Sequence, residues 1–493
     1  MLAPAPTTTH RWRAFAVLAV AYFMTIVDLT IVNVSLPTIG QHLHFSESGL
    51  QWVITAYGIT FGGLMLFGGR AADLLGRRRT FMAGLGLFTV ASLACALATS
   101  DSFLIVMRGA QGAGASILLP SALSIVMSMF AEGTERNKAL GIWGGLGAGG
   151  ATFGLIAGGV LTRYAGWEFI FFLNVPIGAA AFLLAPRVVP ESRAARADGE
   201  SARMRFDPFG ALSVTAGLLL LVYGISTAPA DGWSSAKTAA TLIGSAALLV
   251  AFVVIEARVD APLLPLRMFR SRYITGANLG GFLLGGSFFT FVFVGTLYMQ
   301  QVLHYSALQT GFAWTATSVT SIALAGVSQW LVGKVGPGPI LALGMAAIGG
   351  GIAWATAAGV HGHYWGNLSG PLFIVGAGTA FAFIPTSIAA LTGVRDSDAG
   401  LASGLLNTSQ QIGGALAVAI VSAVATSHTA TLLARGHGLP SSLTGGLHWA
   451  FWVCAGIAAV GVLVGALVLP RRTAAAPPAP AAELRAIHEG ALS

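Results

Sequence analysis

The sequence predicts an all-α polytopic membrane protein with 14 transmembrane helices. The chain of 493 residues is 55% hydrophobic and only 9% charged, whereas an ordinary soluble domain carries about 25% charged residues. A helix that spans a bilayer needs about 20 mostly apolar residues, because lipid offers no partner for an exposed backbone group. Stretches of this kind recur along the whole chain, and its 65 glycines suit helices that pack closely in lipid.

The apolar segments follow one another with few charges inside them. They lie at 14–37, 51–69, 80–99, 102–127, 138–161, 168–188, 207–228, 237–256, 273–302, 309–332, 338–359, 367–392, 401–427 and 445–469. The first segment continues past Asp28 without a small-residue cleavage site, so we interpret it as a retained helix and not as a signal peptide.

The positions of the basic residues predict the orientation of the chain. If the N-terminus is cytoplasmic, all but four of the 26 Lys and Arg residues fall in cytoplasmic loops or tails. The exceptions are Arg163, Lys237 and Arg435, which fall outside, and Arg108, which falls within a segment. The positive-inside rule therefore predicts a multi-pass membrane protein with both termini in the cytoplasm. The excess of Arg over Lys favours a GC-rich bacterial genome, so we expect the membrane to be the bacterial cytoplasmic membrane. This topology explains the net charge of +8 without a nucleic-acid partner.

Two basic connections divide the segments into six, two and six. The predicted organisation is a cytoplasmic tail at 1–13, a six-helix bundle at 14–188, a loop at 189–206, an inserted helix pair at 207–256, a loop at 257–272, a second six-helix bundle at 273–469 and a disordered cytoplasmic tail at 470–493. Paired six-helix halves are the architecture of many secondary transporters.

Two ionisable residues stand deep inside predicted spans, Asp28 in the first and Arg108 in the fourth. A rise of ~1.5 Å per residue places Asp28 about 8 Å and Arg108 about 10 Å below the same outer edge of the bilayer. An unpaired charge in hydrocarbon costs at least ~2.5 kcal/mol, so we expect the two to interact directly or through water. A purely structural ion pair is one explanation. The other is proton coupling, because Asp28 is the one carboxylate predicted in mid-span.

Five motifs in order resemble those of the fourteen-span drug:proton antiporters of the major facilitator superfamily. They are VDLTIVNVSLP at 27–37, GGRAADLLGRRRTF at 68–81, RGAQGAGAS at 108–116, GWEFIFFLNVPIG at 166–178 and GLASGLLNTSQQIGG at 400–414. The resemblance implies a major-facilitator-like fold of two six-helix bundles plus two inserted helices. It also implies export of lipophilic drugs or antibiotics by proton antiport and alternating access, with Asp28 and Arg108 as the proton-coupling pair.

The resemblance assigns a gate to the second motif, with Gly69, Asp73, Arg77 and Arg78 in the family's positions. It implies that Asp73 latches the cytoplasmic side shut by contacting the positive N-terminal end of a helix in the other half. Anchoring by the positive-inside rule also explains the arginines, but not the aspartate.

The fifth span carries the glycine spacing of the family's antiporter motif. Its members are Gly141, Gly150, Gly154, Gly158 and Gly159. Close helix packing by small residues is the simpler explanation, and it is compatible with the motif. Two departures from the family are Leu155, where a proline is expected, and Glu168, where a basic residue is usual.

Polar and aromatic residues at helical spacing are candidates for cargo contacts. They are Thr25, Gln111, Asn278, Phe289, Tyr298, Asn407 and Gln411. Aromatic residues in membrane helices also commonly face lipid, but an uncharged cavity lined by rings and amides suits large lipophilic molecules. A single embedded carboxylate favours neutral, zwitterionic or monocationic cargo. The expected partners are such molecules, protons and membrane lipids, and the chain is expected to act as a monomer.

No enzyme site is recognisable in the sequence. It contains no phosphate-binding GxxxxGK-Ser/Thr loop, so we do not expect ATP hydrolysis. We expect no catalytic residue, no metal site and no cofactor, with a proton gradient as the driving force. Two alternatives to drug export stay open: a dedicated exporter of an endogenous amphiphile, such as a natural product, a lipid or a siderophore, and a transporter-like membrane sensor.

Overall fold

The structure is a computed structural model that describes residues 8–130, 134–191, 207–259, 262–264, 266–394 and 399–471. Most of the predicted loop 189–206 and of the predicted tails 1–13 and 470–493 lies outside the described residues. The first helix begins at Thr8, within the predicted N-terminal tail, so the helix extends beyond the apolar segment that predicted it.

The described residues form a succession of helices. These are α1 (Thr8–His42), α2 (Glu47–Leu50), α3 (Trp52–Leu75), α4 (Arg77–Ala96), α5 (Asp101–Met129), α6 (Thr134–Tyr164), α7 (Phe169–Phe172), α8 (Asn174–Val188), α9 (Pro208–Asp231), α10 (Ala236–Arg258), α11 (Arg272–Leu297), α12 (Ala307–Ala313), α13 (Thr315–Val335), α14 (Pro337–Ala355), α15 (Ser369–Leu391), α16 (Ala399–Ala434) and α17 (Leu439–Leu467). A π-helical turn, Tyr298–Val302, extends α11, and another, Tyr364–Leu368, precedes α15.

Within the described ranges, 13 helices are long and apolar enough to cross a membrane, one fewer than predicted. The difference is the predicted span 309–332, which the structure forms as α12 and α13, separated at Trp314. Helix α13 has 21 residues, which is long enough, but its several Ser and Thr residues together with Gln329 and Lys334 make it less apolar than the others. The all-helical membrane architecture is confirmed.

The long helices run in alternating directions between two faces. We call the face at which α1 begins and α17 ends the terminal face, and the opposite one the distal face. Gly76, with φ +102°, joins α3 to α4 at the terminal face, in a backbone conformation that favours glycine. Helices α1 and α3–α8 pack together, as do α11–α17, and α9 packs against α3 and α16, one helix from each group. The fold thus places α3 and α16 at a junction between two helix groups.

Candidate functional site

The two embedded charges meet in the first helix group. Arg108 Nη1 lies 2.7 Å from Asp28 Oδ2, and the exposed fractions of these residues are 1% and 0%. The predicted contact is therefore confirmed, and it is direct. Asp28 lies past the middle of α1 and Arg108 lies seven residues after the start of α5, and these positions fix the depth of the pair in the bundle.

Two amides complete the surroundings of the carboxylate. Gln111 Nε2 and Asn174 Nδ2 each donate to Asp28 Oδ1 at 2.8 Å. Gln111 also accepts from Arg108 Nη1 at 2.6 Å through its Oε1 atom. Ser92 Oγ accepts from Gln111 at 2.6 Å and from Asn174 at 3.3 Å. The side chains of Arg108, Gln111 and Asn174 thus all donate to Asp28.

Helix α3 holds the guanidinium from its other side. Arg108 Nε donates to Val53 O at 2.9 Å, and Arg108 Cζ lies 4.3 Å from the centre of the Tyr57 ring and 5.7 Å from that of Phe171. A cation over an aromatic face is attracted by the ring, more strongly where water is excluded. The buried hydroxyl of Tyr57 has no hydrogen-bond partner among the described residues. The cluster is therefore a dry polar centre with one spare hydroxyl beside the cation.

Sequence reasoning found Asp28, Arg108 and Gln111 but missed Ser92 and Asn174. Asn174 lies within the quoted motif 166–178, and its position in an otherwise apolar run was a signal that could have identified it. Ser92 carried no such signal, because a lone serine is common in membrane helices, where small residues serve close packing.

The candidate cargo contacts are not gathered into one place. Thr25 Oγ1 donates to Ala21 O at 2.9 Å, and Tyr298 OH donates to Gly359 O at 2.7 Å. Asn278 donates to Ile274 O at 2.8 Å and accepts from Ser409 Oγ at 2.9 Å. The polar atoms of these three candidates are thus engaged within the chain.

The remaining candidates of the second group lie on α11 and α16. Asn407 Nδ2 donates to Ser403 O at 3.0 Å, and Gln411 is 7% exposed. The ring of Phe289 lies 6.4 Å from that of Phe383, centre to centre. These side chains form the amide and aromatic part of the α11–α16 region, apart from the Asp28 cluster.

Four of the five motif glycines on α6 are contact points. An added Cβ would lie 3.1 Å from Ile26 Cγ2 at Gly150, 2.8 Å from Val27 O at Gly154 and 2.5 Å from Ile31 O at Gly158, all on α1. At Gly159 it would lie 2.7 Å from Ala307 O on α12, in the other group. Close packing by these glycines is thus confirmed.

Gly141 behaves differently, because no described atom lies within 4 Å of where its Cβ would be. The packing explanation is therefore wrong for this residue in the conformation described. The helix continues through Leu155, where the family's proline is absent, and an added Cβ on Gly311 of α12 would lie 2.5 Å from Leu155 O.

The gate motif lies at the terminal face. Arg78 Nη1 donates to Pro186 O at 3.3 Å and to Val189 O at 3.2 Å, which ties it to the end of α8 in its own group. The nearest atom to an added Cβ on Gly69 is Pro120 Cβ, at 3.6 Å, also in the same group. Arg77 is half-buried, and the side chain of Asp73 lies outside the described residues. The predicted latch thus remains a prediction.

The two groups touch at the distal face. Gln300 Nε2 donates to Val34 O at 2.7 Å, and Gly159 meets Ala307 as described. No described atom lies within 4 Å of a Cβ position on Gly326 or Gly333 of α13, as for Gly141 of α6. The described contacts between α6 and the other group thus lie at the distal face.

Comparisons with known proteins agree with this architecture. The Major Facilitator Superfamily profile matches residues 18–418. The cephamycin export protein CmcT of Amycolatopsis lactamdurans is 38% identical over 476 residues, which cover 96% of this chain and 95% of that protein. The puromycin resistance protein pur8 of Streptomyces alboniger is 34% identical over 464 residues, which cover 93% of this chain and 90% of that protein.

A solved structure gives the same fold. It is a bacterial homologue of the human lysosomal transporter Spinster, in an inward-facing and unoccupied conformation, with a TM-score of 0.65 and 13% sequence identity over 94% of this chain and 98% of that one. The profile match, the two relatives and the order of the motifs agree with one another. The chain is a multi-pass membrane protein that belongs to the Major Facilitator Superfamily.

Proposed function

We propose that the protein is a proton-coupled antiporter that exports lipophilic drugs or antibiotics across the bacterial cytoplasmic membrane by alternating access, without a cofactor. The observation that carries this proposal is the buried Asp28–Arg108 pair, whose atoms lie 2.7 Å apart in a dry centre. Such intramembrane charges commonly mark ion or proton pathways. The relatives named for cephamycin export and puromycin resistance support the drug class.

Protonation of Asp28 would change the hydrogen bonding of the whole cluster. The carboxylate accepts from Arg108, Gln111 and Asn174, and a neutral carboxyl group has one fewer acceptor position and a hydrogen to donate. Arg108 would also lose its counter-charge while it stays buried. The protonated and ionised forms therefore favour different arrangements of α1, α5 and α8, which is how proton binding can shift a conformational equilibrium.

The positive-inside rule assigns the terminal face to the cytoplasm. Contact between the two groups at the distal face then supports a conformation that is closed on the outer side. Asp28 would receive its proton from outside in the opposite conformation and release it to the cytoplasm in this one.

The direct test is efflux of a lipophilic monocationic dye from proteoliposomes with an imposed pH gradient. Asp28→Asn is expected to lose gradient-driven efflux, because the amide cannot carry a proton. The matched control is Asp231→Asn, which removes the carboxylate of a more exposed ion pair, 2.8 Å from Lys237, and is expected to transport normally. Wild-type efflux rates in Asp28→Asn would exclude the coupling role.

A dedicated exporter of an endogenous amphiphile is the second candidate. The relative that favours it is the one named as a cephamycin export protein, which matches nearly the whole chain. A panel of growth-inhibition and dye-efflux measurements separates the candidates, because a drug exporter protects against several unrelated compounds and a dedicated exporter against one chemical class.

A further inference from the structure

Two acidic residues lie at the terminal end of the inserted helix pair, which is formed by α9 and α10. Asp207 immediately precedes α9, and Glu256 lies two residues before the last residue of α10. Because successive helices run in opposite directions, the start of α9 and the end of α10 both lie at the terminal face. Each of the two residues is only 4% exposed. Neither carboxylate is therefore an ordinary solvated surface group.

One oxygen of each carboxylate is held by a backbone amide. Gly210 N donates to Asp207 Oδ1 at 2.8 Å, which is the usual contact of an aspartate that caps the start of a helix. Leu264 N donates to Glu256 Oε2 at 3.0 Å, so the segment that follows α10 folds back onto the end of that helix. These two bonds restrict how the carboxylates can turn.

The other oxygen of each carboxylate has no partner among the described residues. Asp207 Oδ2 and Glu256 Oε1 are both buried and both lack a hydrogen bond. They flank the same point beside Gly210, because an added Cβ on that residue would touch Asp207 Oδ2 and would lie 3.2 Å from Glu256 Oε1. Native proteins pair almost all of their buried polar atoms. The two oxygens therefore point to a ligand that both of them share.

Basic side chains on the neighbouring elements do not neutralise the two carboxylates. In the described part of the chain, the ion pairs involve other acids, namely Asp28, Glu191 and Asp231. The arginines from the end of α10 to the start of α11 are exposed, and they are Arg258, Arg267, Arg270 and Arg272. Arg70 of α3 is half-buried, two helical turns after the Gly63 contact with α9, and forms no ion pair with either carboxylate. The first turns of α16, which also packs against α9, carry no charged residue.

A single proton suits this site better than a metal ion does. Ca²⁺ and Mg²⁺ take about six or more oxygen ligands, and the described residues contain no group of three His, Cys, Asp or Glu side chains that could hold a metal. A proton on Glu256 Oε1 makes that oxygen a donor, and Asp207 Oδ2 can accept from it. One proton thus provides a partner for both oxygens. Asp207 keeps the negative charge, which the N-terminal end of α9 stabilises.

We propose that Asp207 and Glu256 share one proton at neutral pH and form a protonation site distinct from Asp28, at the terminal end of the inserted pair. Like charges in one buried site disfavour each other's ionisation. When the pH rises, the O–H bond of Glu256 breaks, the proton passes to water at the terminal face, and two negative charges remain side by side. Their repulsion weakens the contact between the ends of α9 and α10. This inference does not depend on the proposed export function.

The first experiment detects the proton directly. Infrared spectroscopy of the purified full-length protein at neutral pH records the carbonyl stretch of protonated carboxyl groups, which ionised carboxylates lack. We expect Glu256→Gln and Asp207→Asn to lose the same part of this band, because an amide at either position donates to the remaining carboxylate without a bound proton. Asp231→Asn is the matched control, since Asp231 lies at the other end of α9 in an ion pair with Lys237, and it should leave the band unchanged.

The two variants test both the proton and its sharing. A band that neither variant reduces would overturn the proposal. A band that only one of them reduces would also overturn it, because the proton would then belong to a single isolated carboxyl group. Asp207→Asn guards against misfolding, since asparagine caps the start of a helix about as well as aspartate does.

The second experiment measures the effect of the proton on stability. Thermal unfolding of the wild type and of Glu256→Gln is followed in one detergent from about pH 6 to about pH 9. The folded wild type holds the proton and its unfolded chain does not, so rising pH lowers the stability of the wild type, whereas the amide of Glu256→Gln keeps its hydrogens. The melting temperature of the wild type should therefore fall by about 2–4 °C relative to that of the variant. A constant difference across this range would overturn the proposal.

Addition of Mg²⁺ at neutral pH distinguishes a shared proton from a bound metal ion. We expect Mg²⁺ to leave the melting temperatures of the wild type and of Glu256→Gln unchanged relative to each other, because the two oxygens already have a partner. Stabilisation of the wild type alone by Mg²⁺ would assign these oxygens to a metal ion, and the shared proton would be excluded.

Discussion

Replacing Arg108 by Met keeps an unbranched side chain but removes the guanidinium group that faces Asp28. The carboxylate is 0% exposed, so water cannot replace the lost partner. The amides of Gln111 and Asn174 stay 2.8 Å from Asp28 Oδ1, but Val53 O loses the 2.9 Å hydrogen bond from Arg108 Nε. Breaking a buried pair on one side costs about 3–5 kcal/mol, and we expect Arg108→Met to fall in this range.

The double variant Asp28→Asn/Arg108→Met separates stability from function. It removes both charges, and neutral groups of similar volume commonly replace a buried ion pair without loss, so at least about half of the lost stability should return. Transport should not return, because no protonatable carboxyl remains. With a single neutral substitution alone, a loss of transport caused by misfolding could not be distinguished from a loss of proton coupling.

The assay is thermal unfolding of the purified proteins in one detergent, combined with gradient-driven dye efflux. The matched pair Asp231→Asn and Lys237→Met acts on an ion pair of 2.8 Å whose side chains are 28% and 56% exposed, and it should change stability much less than Arg108→Met, because solvent screens an exposed pair. An Arg108→Met protein as stable as this control would refute the dry ion pair. A double variant that still exports against a pH gradient would refute coupling through Asp28.

Three further predictions follow from single contacts. Asn174→Leu removes one donor to a buried carboxylate, which should cost about 1.5–3 kcal/mol of unfolding free energy. Denaturation of the purified protein measures this loss, and a loss below about 0.5 kcal/mol would exclude the contact. Gly154→Val should destabilise the α1–α6 packing by about 1–3 kcal/mol. Gly141→Val, at a position without described neighbours, should change the free energy of unfolding by no more than about 0.5 kcal/mol. Equal losses in the two variants would contradict the assigned contacts. Gly159→Val should weaken the distal contact with α12. An introduced distal cysteine should then react more with an impermeant maleimide, and unchanged labelling would argue that this contact does not close the distal face.

The depth of each residue followed from the sequence. A helix rises by a fixed distance per residue, so the spans and their ends are enough to place Asp28 and Arg108 at one level in the membrane. The ion pair of 2.7 Å fulfils that expectation. Gln111 was also accessible to this reasoning, because it lies three residues after Arg108 and on the same side of α5.

The neighbours around the helix axis did not follow from the sequence. Asn174 and Ser92 belong to α8 and α4, and nothing in a depth estimate says which helices lie beside α1. The same limitation applies to the cargo candidates, since the aromatic-rich composition that made Tyr298 a candidate could not show that its hydroxyl is bonded to Gly359 O. The span at 309–332 was counted by overall composition, and the division at Trp314 depends on local geometry.

The sequence by itself determined that the chain is a helical membrane protein, how its spans are spaced and how deep its charged residues lie, because hydrophobic length and helical rise are properties of each segment alone. Only the tertiary structure decided that Asn174 and Ser92 complete the Asp28 site, that α9 packs against both α3 and α16, and that Gly159 of α6 contacts α12 whereas Gly141 has no described neighbour. Lateral order in lipid depends on many small contacts between segments, and no segment specifies its neighbours alone.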